Sequence, residues 1–207
     1  LSRLITTSLI SSIDWFKIAP VHWKAKAYED LLNQLNRIWL EPKNAIKLGI
    51  NFEKRIYNYL QHKRKTTNKD LEWFIIQCKG GEVQKKIKKF IEINDVEYCL
   101  FGKVDVYFPD CLIDIKTTSS YKGKEYYKKS FQHLLYCYIT NIHYFKYLVA
   151  VFDSDGKIED KIEIPINLTE SQDELRHTVE QKVKETIEFI QADYQLMKAY
   201  KDKFCLY

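Results

Sequence analysis

A chain of 207 residues, 45% of them hydrophobic and 29% charged, can bury a sizeable core. At about 150 residues per domain it reads as one domain over 1–207. Six glycines, four prolines and no low-complexity tract or period exclude a collagen, a repeat array and long flexible linkers. The net charge of +5 is unevenly spread, because Lys43 to Lys129 carries 19 Lys and Arg against 11 Asp and Glu while the remainder is slightly acidic. Such a segment is either a solvated surface or a face for a polyanion.

The longest unbroken apolar run, Tyr147 to Phe152, is too short to cross a bilayer, so no membrane partner is expected. The run after Arg3 is broken by Thr6, Thr7 and Ser8, which is not a signal-peptide pattern. Cys78, Cys99, Cys111, Cys137 and Cys205 are odd in number, scattered and without a CxxC pair. They suit free thiols in a reducing compartment, and the expected location is the cytoplasm.

In chain order, residues 4 to 40 predict two helices. The first is capped by Thr7 or Ser8, Pro20 interrupts, and the second runs from Trp23 to Leu40. Pro42 opens a third helix to His62, and Asp70 to Cys78 is a short fourth ended by Gly80-Gly81. From Val83 the period becomes alternating, with Ile87, Phe90 or Ile91, and Ile93 leading to a turn at Asn94-Asp95. Strands follow over Val96–Phe108 and Cys111–Thr117, then a helix from Tyr126 to Thr140 and a strand from Tyr144 to Phe152. Asp153 to Gly156 turns the chain into a strand over Ile158–Ile164. A long helix from Glu170 to Lys201 ends it, with Leu175, Val179, Val183, Ile187, Ile190, Tyr194 and Met197 as its stripe. This order makes an α+β or mixed α/β sheet flanked by helices.

Chemistry concentrates in Gly102-Lys-Val-Asp105 and Ile113-Asp114-Ile-Lys116-Thr117. A tight turn centred on Pro109-Asp110 would set Asp105 opposite Asp114 and Lys103 opposite Lys116, with cross-strand Cβ atoms about 5 Å apart. Asp114 and Lys116 then share one face while Ile113 and Ile115 point into the core. Two opposed carboxylates repel unless a cation sits between them, and Mg²⁺ takes oxygen ligands of this kind. Lys116 beside them could orient or deprotonate a water and offset charge on phosphate oxygens. The plain alternative is a surface hairpin in which Lys103 and Lys116 neutralise both acids. A third carboxylate, Glu53, falls on the expected inward stripe of Ile46, Gly49, Ile50, Ile56, Tyr57 and Leu60. Downstream, Gln132 and Tyr136 are helical neighbours at i and i+4. Around them Lys122, Lys124, Lys128 and Lys129 alternate with Tyr121, Tyr126 and Tyr127, a mixture suited to single-stranded or frayed nucleic acid.

GxxxE at Gly49–Glu53, GKVD at Gly102–Asp105, IDIKTT at Ile113–Thr118 and QxxxY at Gln132–Tyr136 together resemble the ordered motifs of the RecB-like branch of the PD-(D/E)XK nuclease superfamily. The resemblance spans roughly residues 6 to 152, since Thr7 to Ile18 also resembles that branch's Ser-rich opening helix. It implies a restriction-endonuclease-like core and hydrolysis of DNA phosphodiesters with Mg²⁺ or Mn²⁺. By motif, Asp105, Asp114, the Ile115 carbonyl and Glu53 would hold metal. Lys116 would position or activate the water. Gln132 and Tyr136 would meet substrate, beside the Lys122, Lys124 and Lys128 that the basic and aromatic mixture already offers to it. Many members have His where this chain has Glu53, but an acid is also found there in the superfamily. The cysteines of iron–sulfur members are not matched, because the early slot reads Ile18-Ala19-Pro20 and only Cys205 lies near the end, so no cluster is expected.

The expected activity is therefore a metal-dependent deoxyribonuclease, most simply an exonuclease of recombination, repair or phage DNA processing in a bacterial or phage-infected cell. DNA ends or single-stranded segments would be its partners. A homo-oligomer and a helicase or recombinase partner are both compatible with the resemblance. The alternatives are a nucleic-acid-binding subunit on a nuclease fold and a sequence- or structure-specific endonuclease. No Walker-type loop or GxSxG context competes.

Overall fold

The computed structural model describes residues 2–42, 44–62 and 66–205. A short strand, β1 (Arg3–Thr6), precedes four helices: α1 (Thr7–Ile18), α2 (Val21–Leu35), α3 (Asn44–His62) and α4 (Lys69–Cys78). Then come β2 (Glu82–Ile93), β3 (Val96–Tyr107) and β4 (Leu112–Thr118), helices α5 (Lys124–Lys128) and α6 (Phe131–Thr140), strands β5 (Tyr144–Phe152) and β6 (Ile158–Asn167), and helices α7 (Gln172–Gln191) and α8 (Tyr194–Phe204). The sheet is mixed, in the order β1-β3-β4-β5-β6, with β2 pairing the other edge of β3. Among the described residues no helix is long and apolar enough to cross a membrane.

Local chemistry explains most boundaries. Thr6, one residue before the expected cap, accepts the Leu9 N–H at 3.1 Å and starts α1. Asn68 caps α4 by accepting from Asp70 and Leu71, and Ser171 with Glu174 forms a capping box at α7. The expected opening of the third helix at Pro42 adjoins Lys43, which lies outside the described residues.

Two expected helices are each divided. Ser130 ends the α5 segment and caps α6 by accepting the Gln132 N–H, so Tyr126–Thr140 is two helices. Asp193 likewise accepts from Gln195 and Leu196 and starts α8, which breaks the expected Glu170–Lys201 helix. Tyr194, expected in the buried stripe, is 82% exposed there. The second helix stops at Leu35 rather than Leu40, and Ile38, Trp39 and Leu40 are exposed.

Each face of the sheet is covered. Helices α3 and α4 pack Phe52, Ile56 and Phe74 on Ile113, Ile115, Leu148 and Ala150. On the other face, Tyr136 and Cys137 of α6 meet Leu112, Phe145, Tyr147 and Val149. A further cluster joins β1 and α1 to α7 and α8 through Ile5, Leu9, Val183, Ile187 and Leu196. The buried side of α3 is turned from the expected stripe: Ile46 and Ile50 are exposed, and Phe52 is buried instead.

His133 of α6 is buried at 4% exposure beside the Tyr147 hydroxyl, its Nδ1 3.3 Å away. Burial, the main cause, pushes its imidazole from the ordinary 6.5 down to about 4, with Glu170 opposing weakly. The folded state thus refuses a proton that the unfolded chain accepts. Stability is full above the unfolded value and is lost as pH falls through 6.5 towards 4, by about 1.4 kcal/mol per unit. Urea melts between neutral pH and mild acid are expected to show a flatter pH slope for His133→Gln than for the parent. Equal slopes would mean that His133 does not carry the acid sensitivity.

Candidate active site

The site forms where β3 loses one neighbour and gains another. From the turn between Phe108 and Cys111, where the Phe108 N–H donates to the Cys111 carbonyl, β3 and β4 pair as Tyr107↔Leu112 and Val106↔Ile113. That is the register expected from a turn at Pro109-Asp110. The ladder then stops. The two strands part, and further along the same edge β3 pairs with β1 through Tyr98 to Phe101. Asp105 and Asp114 are therefore not a cross-strand pair, and neither are Lys103 and Lys116, which corrects the expectation of opposed side chains.

The fork leaves backbone groups that β pairing would have satisfied, and side chains take them up. The Asp105 carboxylate accepts the Ile115 N–H at 2.8 Å. The Tyr136 hydroxyl donates to the Lys103 carbonyl at 3.1 Å and accepts the Lys103 N–H at 3.3 Å. Its ring lies so close over Gly102 that a Cβ there would overlap Cε1, which is why the position needs glycine. Strand β3 also turns over at this point: Val104 packs towards α6 and Val106, two residues on, towards α3 and α4. Its partner β2 skips the Gln84–Asp105 rung, and Gln84, at φ 57°, turns its side chain to donate to Asp105 at 3.0 Å.

On β4, alternation places Ile113 and Ile115 in the core and Asp114 and Lys116 on the α6 face, as expected from the sequence. Asp114, 3% exposed, receives the Gln132 amide on Oδ1 at 2.5 Å, and Lys116 Nζ stands 2.6 Å from Oδ2. Lys116 also donates to Gln132 Oε1 at 3.0 Å, closing a ring of three side chains. No hydrogen-bond donor is aligned on Asp114 Oδ2, although the ammonium is in contact with it.

The electrostatics reflect burial first and crowding of like charge second. Burial, then the Asp114 charge, holds Asp105 well above the ordinary carboxylate range, with the Ile115 N–H pulling the other way. Burial and then Asp114 also raise Glu53 of α3, against the opposing charges of Lys116 and Lys103. Burial opposes the charge on Lys116, but Asp114 and Asp105 outweigh it and hold the ammonium above its ordinary value. In this arrangement Lys116 can donate hydrogen bonds and offset negative charge.

The donor set suits a hard divalent ion. Asp105, Asp114 and Glu53 are all oxygen donors, and a cation would offset the burial and the repulsion that raise Asp105 and Glu53. Among the described residues no three His, Cys, Asp or Glu side chains stand close enough to enclose an ion by themselves. Mg²⁺ keeps several waters, so one or two carboxylates and a backbone carbonyl such as that of Ile115 meet its needs.

Other residues from the sequence reading divide. Tyr136 is buried and engaged with β3, so it braces the fork. Tyr136→Phe is expected to cost about 1–2 kcal/mol of stability in thermal or urea melts while leaving DNA affinity unchanged; lost affinity without lost stability would restore a substrate contact. Lys122 lines a cleft beside Lys116 and Gln132, whereas Lys124 and Lys128 do not, and Lys128 pairs with Glu125 at 2.8 Å. The sequence reading missed Gln84. Tyr57, read as core, is buried with Phe52 and Ile56, and its hydroxyl also lies in the field of Asp105 and Glu53. Its place one turn after Glu53 was the available signal.

No protein-family model and no curated protein matches the sequence. Solved structures do resemble it. A crystal structure designated SSO0001 aligns at TM-score 0.56 and 15% identity over 91% of this chain and 77% of that one. An alkaline exonuclease (LHK-Exo) from Laribacter hongkongensis aligns at TM-score 0.53 and 15% identity over 98% of this chain and 95% of its own. Its complex with dAMP aligns at TM-score 0.53 and 15% identity over 97% and 94%. At such identity the likeness is one of fold: the chain shares the helix-flanked mixed sheet of the alkaline exonuclease, the architecture that its motifs implied.

Proposed function

We propose that the chain is a metal-dependent deoxyribonuclease acting from DNA ends, of the RecB-like kind without an iron–sulfur cluster. The observation that carries this reading is the closed Asp114–Lys116–Gln132 ring beside Asp105 at the fork of β3 and β4. It lies in a fold shared with an alkaline exonuclease that has also been crystallised with dAMP. Asp105, Asp114, Glu53 and the Ile115 carbonyl would hold Mg²⁺ or Mn²⁺, which when bound supplies a water of lowered pKa and a counter-charge for phosphate. Asp105 keeps β4 in place through the Ile115 N–H. Lys116, beside Asp114, would offset charge gathering on phosphate oxygens or position the attacking water. Gln132 fixes both Asp114 and Lys116, so their geometry is set before substrate arrives. Lys122 supplies attraction for the backbone.

The test is digestion of end-labelled linear DNA and closed circular DNA in Mg²⁺, Mn²⁺ or EDTA. Short products from linear DNA alone, absent in EDTA, are expected. Cleavage of closed circles would favour an endonuclease. A second reading, a DNA-binding subunit without catalysis, draws on the tight hold of Lys116 and Gln132 on Asp114. It predicts salt-sensitive binding that is the same in EDTA and yields no products.

A further inference from the structure

The cleft beside the ring has a second wall that the proposed chemistry does not use. It encloses about 690 Å³ and runs from Lys116 and Gln132 outward between α1 and the segment around α5. Trp15 of α1 and Tyr126 of α5 both line it, and they are 48% and 56% exposed. Large aromatic rings left to water beside a cleft are costly unless something covers them. Tyr126 stands edge-on to Tyr127 with centroids 5.4 Å apart, Tyr127 packs on Tyr147 at 5.7 Å, and the Tyr147 ring lies 5.9 Å from Lys116 Nζ. Aromatic surface thus leads from the ring of charged side chains to the cleft mouth.

The charge of the cleft narrows the occupant. Lys122 and Lys129 line it, neither forms an ion pair with a described residue, and Lys122 Nζ is 5.0 Å from the Tyr126 ring. The one carboxylate among the described lining residues, Asp14, is taken by Lys182 at 2.6 Å. Unpaired cations beside exposed aromatic faces fit a polyanion that offers flat rings at the same spacing as its charges, namely an unpaired DNA strand. Within a duplex the base faces are stacked on one another, and only the outer face of the terminal pair is free, so a duplex cannot offer successive faces along its backbone.

Resting on the nuclease reading for its choice of DNA, we propose that this cleft holds an unpaired strand, with a base seated against Trp15 and Tyr126 and phosphates on Lys122 and Lys129. The strand would then reach Lys116 already stripped of its partner.

Binding in EDTA of a labelled twelve-nucleotide oligothymidylate and of an abasic strand with the same phosphates tests the proposal. Trp15→Ala and Tyr126→Ala are each expected to weaken oligothymidylate binding by about tenfold, and Trp15→Phe to preserve it. The parent should bind the abasic strand as weakly as Trp15→Ala binds oligothymidylate. Both rings are exposed, so melting midpoints should stay near the parent value. Equal affinity of the parent for the two strands, alanine variants within twofold of the parent, or no binding of oligothymidylate at all would overturn the base seat. The two readings fail separately. Loss of binding in Trp15→Ala without metal-dependent cleavage by the parent supports the base seat and sinks the nuclease, and cleavage with a neutral Trp15→Ala does the reverse.

Discussion

Asp114→Asn is expected to lower Mg²⁺-dependent cleavage of linear DNA by on the order of a thousandfold or more, while the protein stays folded. Asparagine keeps the shape and can still meet the Gln132 amide group after a flip, but it loses the charge that would draw a cation and that holds Lys116. The cost in stability is about 1 kcal/mol, because the Lys116 side chain is 38% exposed and can turn to water. Initial rates with end-labelled DNA, beside circular dichroism and a thermal melt, separate the two effects. Cleavage at the parent rate by a folded Asp114→Asn protein would remove Asp114 from the chemistry and with it the proposed metal site.

Gly102→Ala is expected to destabilise the fold by about 2 kcal/mol and to reduce activity with it. The added methyl group would overlap the edge of the Tyr136 ring, and that ring cannot swing aside, because its hydroxyl is held by both backbone groups of Lys103. Relief would come from displacing α6, whose first turn carries Gln132 and so the hold on Asp114 and Lys116. In the Gly102→Ala background, Tyr136→Leu should cost less than it does alone, since it removes the overlap. Additive losses in urea melts of the double-mutant cycle would show that the two residues do not press on each other.

These expectations show how unevenly the site could be read from sequence. The Asp114–Lys116 pair follows from strand alternation alone, and the β3–β4 register follows from a turn at Pro109-Asp110. Both are local, set by a period of two and a four-residue connection. Ser130 and Asp193 are capping residues that resemble ordinary polar positions within a continuing helical pattern, so the breaks before α6 and α8 were hidden. The strand β1 was hidden for a different reason. Four residues carry little pattern, and their partners lie more than ninety residues along the chain.

Strand and helix periods alone supply the chemistry: three carboxylates, a lysine and a glutamine at spacings that put Asp114 with Lys116 on one strand face and Gln132 with Tyr136 on one helix face. Contacts between distant segments set how that chemistry is arranged. The entry of β1 coincides with the parting of β3 and β4, so Asp105 binds the Ile115 N–H rather than facing Asp114. Tyr136 is drawn into the fork, and α1 brings Trp15 to the cleft. Backbone groups left unpaired at a fork must be satisfied by whatever side chains can reach them, and that depends on contacts between segments far apart in the chain.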